Sequence, residues 1–247
     1  MLLALLLSGV PAAPVAAETR VDLELVLAVD ASGSVDSAEY ELQMQGIASA
    51  LRDPEVAAAI ASGPSGAIAV TVMLWAEANR PKQSLPWAKL SDAGSIERFA
   101  AEVARMPRRL PAGGTGIGKA IQYAVWEIDR NDYIGTRQVI DVSGDGRETA
   151  FREFSLSARQ GRSVAVLKGM TVNGLAILNE VPDLSAYYEA EVIGGAGAFV
   201  EVARSYEDFA QALRRKLIRE ISWRPNVSRP AEPAPLRHIM ATRFDTP

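Results

Sequence analysis

Residues 23–34 read LELVLAVDASGS. The first seven are apolar apart from Glu24, a pattern that predicts a buried strand of a parallel sheet. Polar side chains follow at Asp30, Ser32 and Ser34, where that strand should end. Ligands of open α/β sheets bind outside the carboxyl ends of the strands. The stretch therefore predicts both the sheet and a binding site at its edge.

The same alternation continues along most of the chain, from residue 21 to residue 221. Apolar runs alternate with segments of helical periodicity, which predicts an α/β fold: a doubly wound, mostly parallel sheet flanked by helices in three layers. The predicted strands are 22–29, 67–75, 138–142, 170–177 and 199–203, with an antiparallel edge strand at 82–87. The predicted helices lie around 40–51, 96–103, 117–128, 157–167, 183–189 and 209–217.

Composition excludes several classes of protein. The chain has 247 residues, 48% of them apolar, which is enough for one sizeable core. Its net charge of −4 argues against a nucleic-acid partner, which usually needs a basic face. It contains no cysteine, so disulfides and thiolate zinc sites are excluded. The only histidine, His238, lies in a proline-rich stretch, so a Ser-His-Asp triad is not expected.

The two ends of the chain differ from the middle. Residues 2–10 are apolar and small residues precede Glu18, which predicts a signal peptide at 1–17 and export to the periplasm or beyond. No Lys or Arg precedes the apolar run, so a retained anchor stays open as an alternative. No later stretch reaches the roughly 20 apolar residues of a membrane span. We expect one domain at 18–223 and a proline-rich disordered tail at 224–247.

Two further loops should reach the same edge of the sheet as Asp30. Residues 113–116, GGTG, precede a predicted helix, and residues 143–146, SGDG, follow a predicted strand. Thr115 and Asp145 would add a hydroxyl and a carboxylate to the set. A hard oxygen set of low charge suits Mg²⁺ or Mn²⁺ better than zinc or copper.

In this order and spacing, the residues resemble the von Willebrand factor A domain and its metal-ion-dependent adhesion site, Asp-x-Ser-x-Ser with a distant Thr and a distant Asp. More narrowly, residues 140–146, 171–177 and 192–201 are similar to a bacterial family of secreted proteins with this domain and no assigned function.

The resemblance implies a role for each of the five residues. Ser32 and Ser34 would coordinate the ion directly, Asp30 and Asp145 mainly through waters, and Thr115 directly in a ligand-bound state. The remaining position would accept a carboxylate from a partner protein. One departure from the family pattern is Gly144, which separates Ser143 from Asp145 and puts the reach of Asp145 in doubt.

Each candidate also has a structural interpretation. Asp30 and Ser32 could cap the next helix, although Asp36 and Ser37 are closer to its start. Thr115 could cap the helix that follows it. Asp145 could be a turn residue bonded to its own backbone. Asp141 lies in an apolar strand and is expected to have a structural role.

Aromatic and basic residues give weaker signals. Trp75, Trp87 and Trp126 are expected to pack, although Trp75 ends a strand at the predicted site and could form its rim. Residues 105–109 contain three arginines and should form a solvated loop. The basic run 214–216 is placed near a helix C-terminus and carries no expected function.

These observations predict an exported, non-catalytic protein that engages an acidic group of a protein partner through Mg²⁺ or Mn²⁺. We do not expect an enzyme, because no nucleophile and base pair is evident. Two alternatives stay open: a metal-dependent hydrolase, and a structural or assembly factor of the cell envelope.

Overall fold

The computed structural model describes residues 19–149 and 155–223. Its strands are β1 (Thr19–Val21), β2 (Leu23–Asp30), β3 (Ile68–Trp75), β4 (Gln83–Ser84), β5 (Ala88–Leu90), β6 (Tyr133–Gly135), β7 (Gln138–Gly144), β8 (Thr171–Ile177) and β9 (Val200–Ala203). Its α-helices are α1 (Ser37–Arg52), α2 (Pro54–Ala61), α3 (Ala93–Ala104), α4 (Ile117–Asp129), α5 (Ala158–Leu167), α6 (Leu184–Tyr187) and α7 (Phe209–Ser222). A π-helical turn, Tyr188–Val192, continues α6.

The main sheet has the strand order β4-β3-β2-β7-β8-β9, and β5 also pairs with β3. Strands β3, β2, β7, β8 and β9 run parallel, whereas β4 and β5 are antiparallel to β3. The register places Asp30 opposite Trp75 and Val29 opposite Ser143. The carboxyl ends of β2, β3 and β7 therefore meet at one edge.

Helices cover both faces of this sheet, because alternate strand residues point to opposite sides. Leu25 and Leu27 of β2 pack in a core with residues of α1, α2, α3 and α7. Val26 and Ala28 of the same strand pack in a second core with α4, α5 and the π-helical turn. The predicted three-layer, mostly parallel α/β fold is confirmed.

Glu24 interrupts the apolar run of β2, yet only 1% of it is exposed. Its carboxylate accepts hydrogen bonds from the Gly135 amide at 2.7 Å, from Asn131 Nδ2 at 2.7 Å and from Gln138 Nε2 at 3.2 Å. A buried carboxylate needs such partners. Glu24 thereby joins β2 to the segment that contains β6, which forms a separate two-stranded ribbon with β1.

The predicted elements occur with small differences in their ends. The edge strand expected at 82–87 is instead two short strands, β4 and β5, on either side of Leu85-Pro86-Trp87. Proline lacks the amide that a strand interior needs. The helix expected at 183–189 is a single α-turn followed by the π-helical turn. Helix α2 was not predicted; it has Pro54 in its first turn and Asp53 as its cap.

Trp75 is fully buried, so it packs in the core and the alternative of a binding rim is wrong. Of the three tryptophans expected to pack, Trp126 differs, because 47% of it is exposed. The predicted signal peptide and the predicted tail lie outside the described residues and stay predictions. Within the described ranges, no helix is both long and apolar enough to cross a membrane.

The basic run 214–216 lies in the middle of α7 rather than near a helix C-terminus, which corrects the expectation for it. Lys216 is completely buried, and its Nζ lies 2.7 Å from Asp141 Oδ1 and also contacts Glu220 Oε1. Asn173 Nδ2 donates to the same Glu220 oxygen at 2.7 Å. Burial and then the charge of Glu220 raise the pKa of Asp141. The cluster fixes α7 onto β7 and β8, which gives Asp141 the structural role expected for it.

Candidate metal centre

The first loop of the candidate site follows β2 directly. The Ser32 amide donates to Asp30 Oδ1 at 2.7 Å, which folds the loop back over the end of its strand. Helix α1 is capped by Asp36, whose carboxylate accepts a hydrogen bond from the Glu39 amide. In return, the Glu39 carboxylate accepts one from the Asp36 amide. The interpretation of Asp30 and Ser32 as helix caps is therefore wrong, and their side chains are available for another role.

The second loop contacts the first through glycine backbone. The Gly33 amide donates to the Gly113 carbonyl at 2.8 Å, and a Cβ on Gly33 would lie 3.2 Å from that oxygen. Thr115 is 7% exposed, and its amide donates to Thr149 Oγ1. The cap of α4 is Gly116, with no side-chain bond, so Thr115 does not cap this helix.

The third loop brings Asp145 to the first. Ser34 Oγ donates to Asp145 Oδ1 at 2.8 Å and lies 3.1 Å from Ser32 Oγ. The other carboxylate oxygen of Asp145 accepts from Tyr206 rather than from its own backbone, so the turn interpretation is wrong. Gly144 does not prevent the contact: Asp145 reaches Ser34 in spite of the extra residue.

Thr115 lies close to the third loop, at Gly146, the residue after Asp145. A Cβ added to Gly146 would lie 3.5 Å from Thr115 Oγ1. The structure thus brings the three predicted loops to one place and links Ser32, Ser34 and Asp145 in a row.

The residues fit a small divalent cation. Adjacent oxygens around an octahedral Mg²⁺ lie about 3 Å apart, given metal–oxygen distances near 2.1 Å. The spacings of 3.1 Å between Ser32 and Ser34 and 2.8 Å between Ser34 and Asp145 match this value. Asp30 Oδ2 is buried and has no hydrogen-bond partner among the described residues. Such an orphaned acceptor needs a cation or a donor.

The candidate metal ligands carry little negative charge. Among the described residues, no group of three or more His, Cys, Asp or Glu side chains is arranged to hold a metal. The candidate ligands are two carboxylates and three hydroxyls, so their charge would at most balance that of one divalent ion. This composition favours a hard cation over zinc or copper.

The electrostatics of Asp30 agree with this assignment. Burial and then the nearby carboxylate of Asp145 raise the pKa of Asp30 from 3.8 to about 7. Bonds from Ser32 and the charge of Arg108 oppose the shift without cancelling it. The charge of Asp145 therefore destabilises the charged form of Asp30, which a cation between them would relieve.

Two tyrosines that the sequence did not indicate surround the carboxylates. Tyr206 precedes α7, is 3% exposed and donates its hydroxyl to Asp145 Oδ2 at 3.0 Å. Tyr188 begins the π-helical turn, and its buried hydroxyl lies, like Asp30 Oδ2, within 3 Å of where a Cβ of Gly144 would be. Burial and then the neighbouring acid raise the pKa of both phenols. Each phenol therefore stays neutral beside a candidate ligand.

Arg108 was expected in a solvated loop, and this expectation is wrong. Its guanidinium donates to the carbonyls of Ala31, Ser32 and Val35 at 2.9, 2.8 and 2.7 Å. These are the carbonyls of the first loop, so Arg108 holds the backbone that carries both serines. The adjacent Arg109 is exposed, as predicted.

Replacing Arg108 with Ala should weaken Mg²⁺ binding about tenfold, because supporting residues of a metal site typically contribute 10–100-fold in affinity. Calorimetric titration with Mg²⁺ measures the change. Arg109→Ala removes the same charge one residue away and should bind like the wild type. Equal affinities for the two variants would show that Arg108 does not position the loop.

Gly144 is required by the close approach of two side chains. A Cβ there would lie 2.8 Å from Asp30 Oδ2 and 2.9 Å from the Tyr188 hydroxyl, too close for either atom to remain in place. We expect Gly144→Ala to destabilise the fold by roughly 1–3 kcal/mol and to abolish Mg²⁺ binding, as measured by urea unfolding and calorimetry.

Gly146→Ala is the matched control, since its Cβ would make an ordinary 3.5 Å contact with Thr115. It should fold normally. A Gly144→Ala variant that kept its metal affinity would contradict the arrangement described for Asp30 and Tyr188.

Solved structures share this fold at low sequence identity. Proximal thread matrix protein 1 from the mussel byssus has a TM-score of 0.57 and 15% identity, over 82% of this chain and 46% of that one. The pilus adhesin SpaC from Lactobacillus rhamnosus GG has a TM-score of 0.55 and 12% identity, over 81% and 31%. BatB from Bacteroides thetaiotaomicron has a TM-score of 0.51 and 14% identity, over 81% and 98%. The chain thus spans less than half the length of the first two.

A search of curated proteins gave no significant match. Residues 20–225 match the family described as "Protein of unknown function (DUF1194)", which is most of the chain. The mussel protein is a von Willebrand factor A domain protein, and the arrangement described above, a mostly parallel sheet between two layers of helices, is the same architecture. The chain therefore belongs to the DUF1194 family and has the fold of a von Willebrand factor A domain.

Proposed function

We propose that this protein binds a partner protein through a divalent cation held by Asp30, Ser32, Ser34, Thr115 and Asp145. One observation carries the proposal: the hydroxyls of Ser32 and Ser34 and the carboxylate of Asp145 stand in a row at metal-ligand spacing, beside the orphaned Asp30 Oδ2. When bound, the ion would supply a positive charge that attracts a carboxylate of the partner.

The exposure of the five residues shows from which side a partner can approach the site. Asp30, Ser32 and Asp145 are at most 1% exposed and Thr115 is 7% exposed, whereas Ser34 is exposed. An approaching group therefore reaches the site from the side of Ser34. A ligand set with only two carboxylates does not overcompensate the charge of a divalent ion, which favours an anionic group from outside as a further ligand.

The identity of the ion is part of the proposal. Oxygen-only ligands favour Mg²⁺ or Mn²⁺. A structure of the mussel protein, similar to this chain at 14% identity and a TM-score of 0.56, has a zinc-occupied site of the metal-ion-dependent adhesion type. That structure supports a divalent ion at this edge of the fold.

We propose recruitment rather than rigidification as the purpose of the ion. Bonds within the chain hold the loops, namely three from Arg108 and the Gly33–Gly113 contact. We also propose that the site is not catalytic: the groups around the carboxylates are two phenols with raised pKa, which are poor bases at neutral pH.

An exported location agrees with a pilus adhesin and a byssus protein among the similar structures.

The test is capture of partners from an envelope extract by the immobilised protein, with Mg²⁺ or with chelator. We expect a defined set of proteins to bind the wild type only in Mg²⁺ and to be lost with Ser32→Ala/Ser34→Ala. The control, Ser65→Ala/Ser222→Ala, removes two exposed hydroxyls away from the site and should capture the same proteins.

Other outcomes would overturn the proposal. Capture that is equal in Mg²⁺ and chelator would favour a structural or assembly role. Turnover of phosphoesters or peptides by the wild type, abolished by Asp30→Ala, would establish a metal-dependent hydrolase instead.

A further inference from the structure

A second surface, which includes none of the five metal-site residues, has the features of a docking site. A groove of about 520 Å³ lies between the loop after β3 and the outer face of α4. Three cations line it, Arg80, Lys82 and Lys119, together with the aromatic rings of Tyr123 and Trp126. No acidic residue is among its lining residues. We call this surface the α4 groove.

Trp126 is the apolar centre of the α4 groove. It is 47% exposed, one of five large hydrophobic side chains in the described ranges that are exposed. Its ring packs against Tyr123 with centroids 5.3 Å apart, and the guanidinium of Arg130 lies 4.8 Å from its centroid. The ring is therefore held in place while its surface stays accessible. Tryptophan, tyrosine and arginine dominate binding energy at protein interfaces.

The opposite wall of the α4 groove is also held in place. Lys82 Nζ donates to the carbonyls of Glu77, Ala78 and Arg80 at 2.9, 3.3 and 2.9 Å, which closes the loop into a fixed shape. Burial and then the charge of Lys119 lower the pKa of Lys82 to about 8. The three N–H groups of Lys82 are taken by these carbonyls, so Lys82 would attract an anion by its charge alone. A pre-formed wall reduces the entropic cost of binding.

Charge decides what kind of occupant fits. The chain has a net charge of −4, so a cationic groove stands out from the rest of the molecule. Among the nearest acids, Glu127 accepts from Ser84, and Glu148 accepts from the Gly118 amide. Glu77 lies 3.6 Å from Arg80 and offsets the charge of that arginine, which leaves the two lysines to attract an anion. An acidic segment is attracted to the cations, and one large apolar side chain would cover Trp126. The acidic chain as a whole repels a nucleic acid.

We propose that the α4 groove binds an acidic peptide segment that carries one large apolar side chain. This inference does not depend on the metal centre. Ala78 packs against Gly116, next to Thr115, so the groove begins beside the metal-site loop without including any of the five residues.

The test measures binding of a short fluorescein-labelled peptide, with glutamates around one central phenylalanine, by fluorescence anisotropy in chelator. We expect saturable binding that weakens as salt is added. Trp126→Ala and Lys119→Glu should each weaken it at least tenfold. Matched controls are Leu167→Ala, at a side chain that is 87% exposed, and Lys89→Glu, at an exposed lysine on β5; both should bind like the wild type.

Three results would overturn the proposal: no saturable binding of the acidic peptide, unchanged affinity in both groove variants, or equal binding of a peptide with lysines in place of the glutamates. Tighter binding of a single-stranded oligonucleotide would assign the groove to nucleic acid instead. The experiment is done in chelator, so its result would be the same if the five residues bound no metal.

Discussion

Replacing Lys216 with Met should destabilise the fold by about 3–5 kcal/mol, the usual cost of removing one partner from a buried ion pair. Lys216 is fully buried between Asp141 and Glu220. Without the ammonium, two carboxylates would remain in the core with no positive charge beside them, and they would have to be protonated or exposed. Urea unfolding, with the midpoint and slope measured together, gives the change in free energy.

Two further variants separate this explanation from general damage to α7. Arg215→Met removes the same charge from the next residue, whose guanidinium forms a surface pair with Glu201, and should cost at most about 1 kcal/mol. Combining Lys216→Met with Asp141→Asn and Glu220→Gln removes all three charges and should recover most of the loss. A Lys216→Met variant as stable as Arg215→Met would refute the role assigned to the cluster.

Mg²⁺ should stabilise the folded protein, and Asp145→Asn should eliminate that effect. An ion that binds only the folded state adds about 2.7 kcal/mol at a concentration one hundred times its dissociation constant. Asp145 supplies one of the two carboxylates and contacts both Ser34 and Tyr206. Because it also raises the pKa of Asp30, its removal should make the metal-free protein no less stable. Thermal unfolding with Mg²⁺ and with chelator measures both effects.

The control for this prediction is Asp132→Asn, which neutralises an exposed acid beside the β1–β6 ribbon, outside the three loops. It should keep the full stabilisation by Mg²⁺. If Mg²⁺ stabilised the Asp145→Asn variant as much as the wild type, the ion would bind elsewhere.

Local patterns explain why much of the fold and the candidate site could be predicted. The apolar run before Asp30 indicated a buried strand, and the position of Asp30 at its end placed the side chain at the edge where ligands bind. Glycines around Thr115 and Asp145 indicated loops that turn sharply beside neighbouring strands. Each of these signals is contained within a few consecutive residues, so one sequence was enough to read them.

The supporting residues could not be predicted, because they act across long separations without a fixed spacing. Tyr206 follows β9 and contacts Asp145, which lies 61 residues earlier in the sequence. Arg108 contacts carbonyls of the first loop, which lie 73 or more residues earlier. Lys216 was grouped with its two neighbouring arginines as a basic run without function, since nothing local shows that its helix face is buried against Asp141. Helix α2 has only eight residues and begins soon after the end of the helix predicted around 40–51.

Soaking crystals in Mn²⁺ and recording its anomalous scattering tests the central claim most directly, because it locates the ion without reference to any partner. We expect one peak among Asp30, Ser32, Ser34, Thr115 and Asp145, about 2.1–2.2 Å from the hydroxyl oxygens of Ser32 and Ser34. The absence of a peak there at saturating Mn²⁺, or a peak only at carboxylates outside these loops, would contradict the account.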